Sequence, residues 1–283
     1  MTVVYAALAL VAFAANSVLC RVALHQGAID PATFTSIRVV SGAAALLLII
    51  SCTPGDAGRG TILGRTARGG ASLLTPAILF LYAVPFSFAY TRLSAGTGAL
   101  ILFGAVQVTM LGSAAWSGER LRSTQWVGVL IALAGLVVLV MPGLTAPPAW
   151  AAALMAIAGL FWGLYTLRGR GSAHPLVHTT RNFVWAVPLV LVVSALTLRQ
   201  FHASPRGVLL AIVSGAVTSG LGYVAWYSAV RRLTATRAAV LQLSVPVLAA
   251  AGGVVFLMEA VSLRLGAAAV LVIGGIALTL GRR

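Results

Sequence analysis

Lysine is absent from this chain, and acids are almost absent with it: Asp30, Asp56, Glu119 and Glu259 are the only four in 283 residues. Charged residues make up 8% of the sequence against 60% hydrophobic ones, where an ordinary soluble domain carries roughly 25% charge. So little charge excludes water as the main solvent. The scarcity of acids also removes the paired carboxylates that hydrolytic and acid–base chemistry requires. No acid lies at the middle of an apolar run, so no evident carboxylate is placed to load and release a proton there. Glu119 and Glu259 stand only at the ends of apolar runs. Only Cys20 and Cys52 are present, near the ends of the first and second apolar runs. They therefore fall on opposite membrane faces, where a disulfide is not expected. Histidine is scarce too: His174 and His178 are four apart, but Pro175 interrupts them and no third ligand is near, so neither a metal nor any other cofactor is expected. No Gly-x-Ser-x-Gly elbow and no Walker loop appears, which leaves an intramembrane enzyme without machinery.

What is present is a net charge of +15 carried wholly by arginine. A nucleic-acid reading would need those arginines in a stripe on a polar surface, and here they sit singly or in pairs between apolar runs. No nucleic-acid partner is expected. The longest polar stretch, from about 53 to 70, is too short for a soluble domain. The first run lacks the basic region of a secretory signal and is read as a retained helix.

A bilayer core of about 30 Å needs roughly 20 apolar residues per helix. Ten windows qualify, approximately 2–23, 32–51, 72–91, 95–117, 124–141, 149–167, 180–198, 206–230, 236–258 and 263–281. No barrel alternation is seen, and in lipid a backbone must satisfy itself, so the fold class is an all-α integral membrane protein. Arginines between spans sort by side. Arg59, Arg65, Arg68, Arg120, Arg122, Arg168, Arg170, Arg231, Arg232, Arg237, Arg282 and Arg283 fall on the side of both termini, and Arg21, Arg92, Arg199, Arg206 and Arg264 fall opposite. The excess predicts cytoplasmic termini.

A shift of 140 residues lays Arg92-Leu93-Ser94-Ala95 on Arg232-Leu233-Thr234-Ala235, Gly112 on Gly252, Glu119 on Glu259 and Gly135 on Gly275. Arg21 and Pro31 find rough counterparts in Arg168 and Pro175. Five helices per unit make the two copies inverted, with units 1–141 and 149–283 forming one integrated transmembrane domain. Inverted repeats with substrate near the midplane are a secondary-transporter design.

Trp162-Gly163 in the sixth span, Gly118-Glu119-Arg120-Leu121 between the fourth and fifth, and Gly128 with Gly135 in the next helix resemble the drug/metabolite transporter superfamily, specifically its EamA-type exporters. The second unit matches at Glu259 but has Met258 in place of the glycine, and Asn16-Ser17 stands where the first unit would carry Trp-Gly. The resemblance implies a ten-helix exporter of small organic metabolites in a bacterial inner membrane, amino acids including aromatic ones above all. A lipid or lipid-carrier flippase on the same fold is the alternative. A single chain supplies both repeats, so a monomer is expected, with a small-molecule substrate and membrane lipid as its partners.

Candidate substrate residues follow from position. Tyr82 and Phe86 are one turn apart in the third span, flanked by Pro76 and Pro85. Tyr223, Trp226 and Tyr227 share a face of the eighth, which also carries Gly215, Gly220 and Gly222. Trp162 and Tyr165 repeat the pattern in the sixth. Tyr90, Tyr165 and Tyr227, near span ends, fit an interfacial belt, which cannot hold Tyr82 at midspan. Asn16, Gln107 and Gln242 are amides inside apolar helices and each must find a partner. Helix-to-helix bonding explains them, or, for Gln242 one turn before Pro246, a substrate amino or carboxyl group. Arg38 and its rough equivalent Arg181 lie inside the second and seventh spans, either snorkelling to headgroups or meeting a substrate carboxylate. Tyr82 and Trp226 are expected to line a central cavity and Gln242 to face it.

Overall fold

Helices begin where the sequence offers a proline with a free first turn. Pro31, Pro175 and Pro205 each open one, because proline's missing N–H is an orphan at that position anyway. In the computed structural model, residues 2–52, 73–116, 123–141, 146–170, 172, 174–233, 238, 241–242 and 244–279 are described. The apolar windows become α1 (Thr2–His25), α2 (Pro31–Cys52), α3 (Leu74–Tyr90), α4 (Ala95–Trp116) and α5 (Ser123–Val140), followed by α6 (Ala149–Gly169) and α7 (Pro175–Leu196). Then come α8 (Pro205–Val230), α9 (Ser244–Leu257) and α10 (Leu263–Thr279). Among the described residues six helices are long and apolar enough to cross a membrane and four apolar ones are shorter. Large apolar side chains cover the exterior, Trp116, Leu196 and Leu263 among them, as expected of a surface facing lipid rather than water.

Two helices differ from expectation. α7 starts at Pro175, five residues before the apolar window, because Pro175 to His178 form its first turn instead of a loop, with His174 as the N-cap residue. α3 runs without interruption through Pro85. The irregular helix is α8, which passes from α-helix (Pro205–Val213) into a π-helical stretch (Ser214–Leu221) and back (Gly222–Val230). Single π segments inside α-helices frequently mark functional sites.

The packing has an internal order. α3 and α4 both lie on α6, while α8 and α9 both lie on α1; α2 packs on α7, α4 on α9 and α5 on α10. Exchanging each helix with the one five further along leaves this scheme unchanged. Gly135 and Gly275, equivalent by the 140-residue shift, face each other's helices: a β-carbon on Gly135 would strike Leu271 and Ala268, and one on Gly275 would strike Gly128 and Ala132.

At one end of the bundle the loops tie together. The Asp30 N–H donates to His202 O at 2.8 Å and the Ser204 N–H to Ala28 O at 2.8 Å. The Arg21 Nε donates to Glu259 Oε1 at 2.9 Å, and its Nη1 to the Tyr90 and Thr91 carbonyls at 3.2 and 3.3 Å. Glu259 Oε2 in turn accepts the Ala95 N–H at 2.8 Å. Thus the last turns of α1, with Arg21, and the loops bearing Arg92 and Arg199 share an end with Glu259. Arg59, Arg65, Arg68, Arg120, Arg122, Arg237, Arg282 and Arg283, with Glu119 and the Gly118–Leu121 motif, lie outside the described residues.

Met258, just before Glu259, has φ +54, a left-handed conformation that costs a side-chain-bearing residue roughly 1–2 kcal/mol. Its side chain is 88% exposed and packs little. Met258→Gly is therefore expected to stabilise the protein by about 1 kcal/mol, read as a raised thermal midpoint in detergent.

Candidate functional site

Arg38 is the eighth residue of α2, about 10 Å along the helix from Pro31 at 1.5 Å per residue. Its side chain does not snorkel. The residue is 2% exposed, turned into the bundle, where Nε donates to Ser219 Oγ at 2.9 Å and Nη2 to the hydroxyls of Tyr82 and Tyr223 at 3.0 Å each. The guanidinium carbon stands 4.9 Å from the Phe86 ring centroid and 5.4 Å from that of Tyr82, within cation–π range. Its Nη1 is buried with no partner. Among the described residues the ion pair is Arg21–Glu259, and no carboxylate of theirs neutralises Arg38. A charged arginine inside a bundle costs several kcal/mol without compensation, and three neutral hydroxyls compensate only part of it.

Ser219 lies in the π stretch of α8 and Tyr223 just beyond it, on a helix that closes tightly on α2. Gly215 lies so close to α2 that a β-carbon there would collide with Arg38 O and Ser41 Oγ. Gly215→Ala should push α8 off α2 and cost about 1–3 kcal/mol, seen as a lower thermal midpoint.

Around the guanidinium the rings form a connected cluster. Tyr82 and Trp162 centroids are 5.0 Å apart, Trp162 and Tyr223 4.7 Å, Phe13 and Trp162 5.2 Å, and Tyr82 and Phe86 5.4 Å. Between them is a void of about 10 Å³, bordered by Phe13, Asn16, Ser17, Tyr82, Phe86 and Trp162 with two α4 side chains. That is the room of a single water, where a small-molecule site takes ~300 Å³ or more. The expected cavity is here closed, its space filled by aromatic contacts, and these rings must part to admit a ligand.

The other candidates fall around this centre. Trp226 is fully buried and packs edge-on against Phe13 at 5.7 Å, outside the border of the void. Gln242 is also absent from that border; its Oε1 accepts the Trp162 indole N–H at 3.1 Å, tying this amide, two residues before α9, to α6. Asn16 Oδ1 accepts the Ser214 and Thr218 hydroxyls at 2.6 and 3.2 Å. Gln107 is buried in α4. Tyr90, Tyr165 and Tyr227 correct the belt expectation, since all three are fully buried. Each hydroxyl is held internally: Tyr90's donates to Ala95 O at 3.4 Å, Tyr227's to Tyr165 O at 3.1 Å, and Tyr165's accepts from Asn182.

Asn182 was not singled out by sequence, although it is the eighth residue of a proline-started helix as Arg38 is. It, rather than Arg181, stands at Arg38's depth in the opposite unit. Asn182 is fully buried, and its Nδ2 donates to Tyr165 at 3.1 Å with His178 Nδ1 at 3.3 Å. Reading the second unit at an offset of 144 from the proline pair, instead of matching arginine to arginine, would have found it. Ser219 and Phe13 were also missed, being ordinary residues in apolar helices.

Known proteins agree with this architecture. A family model described as the EamA-like transporter family matches residues 1–141 and again 149–281. An uncharacterized protein of Pseudomonas aeruginosa is 48% identical over 288 residues, covering 100% of this chain and 95% of its own length. An uncharacterized transporter of Archaeoglobus fulgidus is 25% identical over 207 residues, 72% of this chain and 74% of its own. A solved crystal structure superposes with a TM-score of 0.64 at 22% identity, over 96% of this chain and 98% of that one, a likeness of fold.

Proposed function

The chain belongs to the EamA-like transporter family, and from that premise we propose that this multi-pass membrane transporter exports small organic carboxylates, amino acids including aromatic ones above all. Arg38 is the observation that carries the reading: a buried guanidinium with one nitrogen unpartnered and, among the described residues, no carboxylate to neutralise it, surrounded by rings. A substrate carboxylate supplies the missing charge, since two-point guanidinium–carboxylate bonding is among the strongest side-chain recognition modes. Tyr82, Phe86, Trp162, Tyr223 and Trp226 then offer faces on which a planar side chain stacks. Asn16 and Gln242 supply amides that exchange their helix-to-helix bonds for the substrate's amino group.

Ten crossings in two inverted units, 1–141 and 149–283, put Arg38 between the repeats, and alternating access moves the site from one face to the other. Both termini face the cytoplasm of a bacterial cell whose inner membrane the protein spans. The Arg21–Glu259 clamp then closes the outer end. Among the described residues no acid sits beside the rings, which favours a cycle that runs down the metabolite gradient, with one chain as the working unit.

Counterflow of labelled phenylalanine, tyrosine and leucine in proteoliposomes, with and without an imposed pH gradient, tests the reading. Saturable exchange indifferent to the gradient is expected. Absence of exchange for every amino acid, with movement of labelled lipid instead, would replace it by a flippase.

A further inference from the structure

Outside the site, a cleft of about 570 Å³ opens on the bundle's exterior between α1, α8 and α9. Its walls are apolar, Val11 and Leu19 from α1, Leu210 from α8 and Phe256 from α9, with two polar exceptions at opposite ends, Arg206 and Thr218. We propose that this cleft is a binding site for one phospholipid with an anionic headgroup.

The dimensions favour an acyl chain. Along α1 the lining runs from Val22 to Val11, eleven residues or about 16 Å at the helical rise. Along α8 it runs from Arg206 to Thr218, twelve residues or about 18 Å. One leaflet of a ~30 Å hydrocarbon core is half that core, about 15 Å deep. The cleft thus begins at the bundle end where the α7–α8 loop lies and stops near midplane, the depth of one leaflet and no more.

The charge favours an anion. Arg206 is the second residue of α8 and is exposed, and among the described residues its guanidinium meets no hydrogen-bond or ion-pair partner. It stands where a headgroup phosphate would lie, one acyl length from Thr218, and the α8 N-terminus adds a positive dipole end. A second exterior cleft, of about 560 Å³ between α4, α5 and α6, is lined by alanines, Ile101, Leu133 and Val137, with no charged or polar side chain among the described residues. It has the volume without the headgroup contact and serves as an internal control.

At its deep end the site reaches the transport machinery. Thr218 belongs to the π stretch and donates to Asn16, which borders the central void. An acyl terminus here bears on the wall between lipid and substrate site.

Native mass spectrometry of the delipidated full chain, titrated with phosphatidylglycerol or phosphatidylcholine, tests this. One phosphatidylglycerol should bind about tenfold more tightly than phosphatidylcholine, the margin expected of a charge-assisted phosphate contact. Arg206→Gln should erase that preference while Arg206→Lys largely keeps it. Leu19→Trp, filling the cleft, should weaken both lipids, whereas Ala153→Trp in the control cleft should leave the preference intact. Equal binding of the two lipids by the wild type, or a preference that survives Arg206→Gln, overturns the proposal in favour of non-specific annular lipid. Thermal midpoints of all four variants identify any that fail to fold, and Arg206→Gln, at an exposed position, carries the test by itself.

Discussion

Arg38→Met should lose about two orders of magnitude in amino-acid counterflow at subsaturating substrate while its thermal midpoint stays level or rises. The two halves of that expectation come from one fact. Arg38 is fully enclosed, its contacts are neutral hydroxyls and rings, and its Nη1 has no partner. Removing a buried charge that lacks a counter-ion relieves desolvation, and apolar replacement of such groups is often neutral or stabilising. The Tyr82, Tyr223 and Ser219 hydroxyls stay clustered and retain one another as partners. Losing a charged hydrogen bond to substrate, worth about 1.5–3 kcal/mol, removes roughly 10- to 100-fold in apparent affinity, and loss of the second point of contact brings the larger figure. Arg38→Lys keeps the charge but not the fork, and should recover part of the flux with a raised KM. A parallel loss of flux and stability in Arg38→Met would instead make Arg38 a structural keystone with no part in binding.

Arg21→Gln should increase the alkylation rate of Cys20 about tenfold in a Cys52→Ser background. Cys20 is fully buried beside Ser87 and next to Arg21 in sequence, so only opening of that end exposes it. The clamp is more than an ion pair. Arg21 occupies the C-terminal carbonyls of α3 and Glu259 the first N–H of α4, so each charge also meets the helix pole of opposite sign. A partly buried, hydrogen-bonded pair of this kind contributes on the order of 1–2 kcal/mol, about a tenfold bias toward the closed end. For the same reason the exchange Arg21→Glu with Glu259→Arg should not restore closure, since it sets a carboxylate against carbonyls and a guanidinium against an N–H. An alkylation rate unchanged in Arg21→Gln, or full restoration by the exchanged pair, would remove the clamp from the transport cycle.

Much of this was legible in sequence because lipid simplifies the problem. An apolar run in a bilayer has one backbone solution, so the windows and the helices nearly coincide, and the arginine-poor loops gather at one end. Tyr82, Phe86, Trp162, Tyr223 and Arg38 were singled out because large aromatics and a charge inside apolar spans have few reasons to be there, and the structure gathers them into one cluster; their part in binding is the proposal. Direction was less legible. Nothing in the residues around Arg38 says whether it reaches outward or inward, and Tyr90, Tyr165 and Tyr227 sit at belt height by count yet face the core. The π stretch at Ser214–Leu221 left only glycines as its trace, and Asn182 was masked by a nearby arginine that invited the wrong pairing. Closure of the cavity depends on ring-to-ring packing across four helices, which no local pattern encodes.

The measurement that bears most directly on the central claim is inhibition of labelled phenylalanine counterflow by unlabelled phenylalanine and by phenylalaninamide, which differ in the carboxylate alone. Recognition by Arg38 predicts that the amide competes at least tenfold less well in the wild type and that the difference disappears in Arg38→Met measured at high substrate. Equal competition by acid and amide in the wild type would contradict a carboxylate anchor at Arg38.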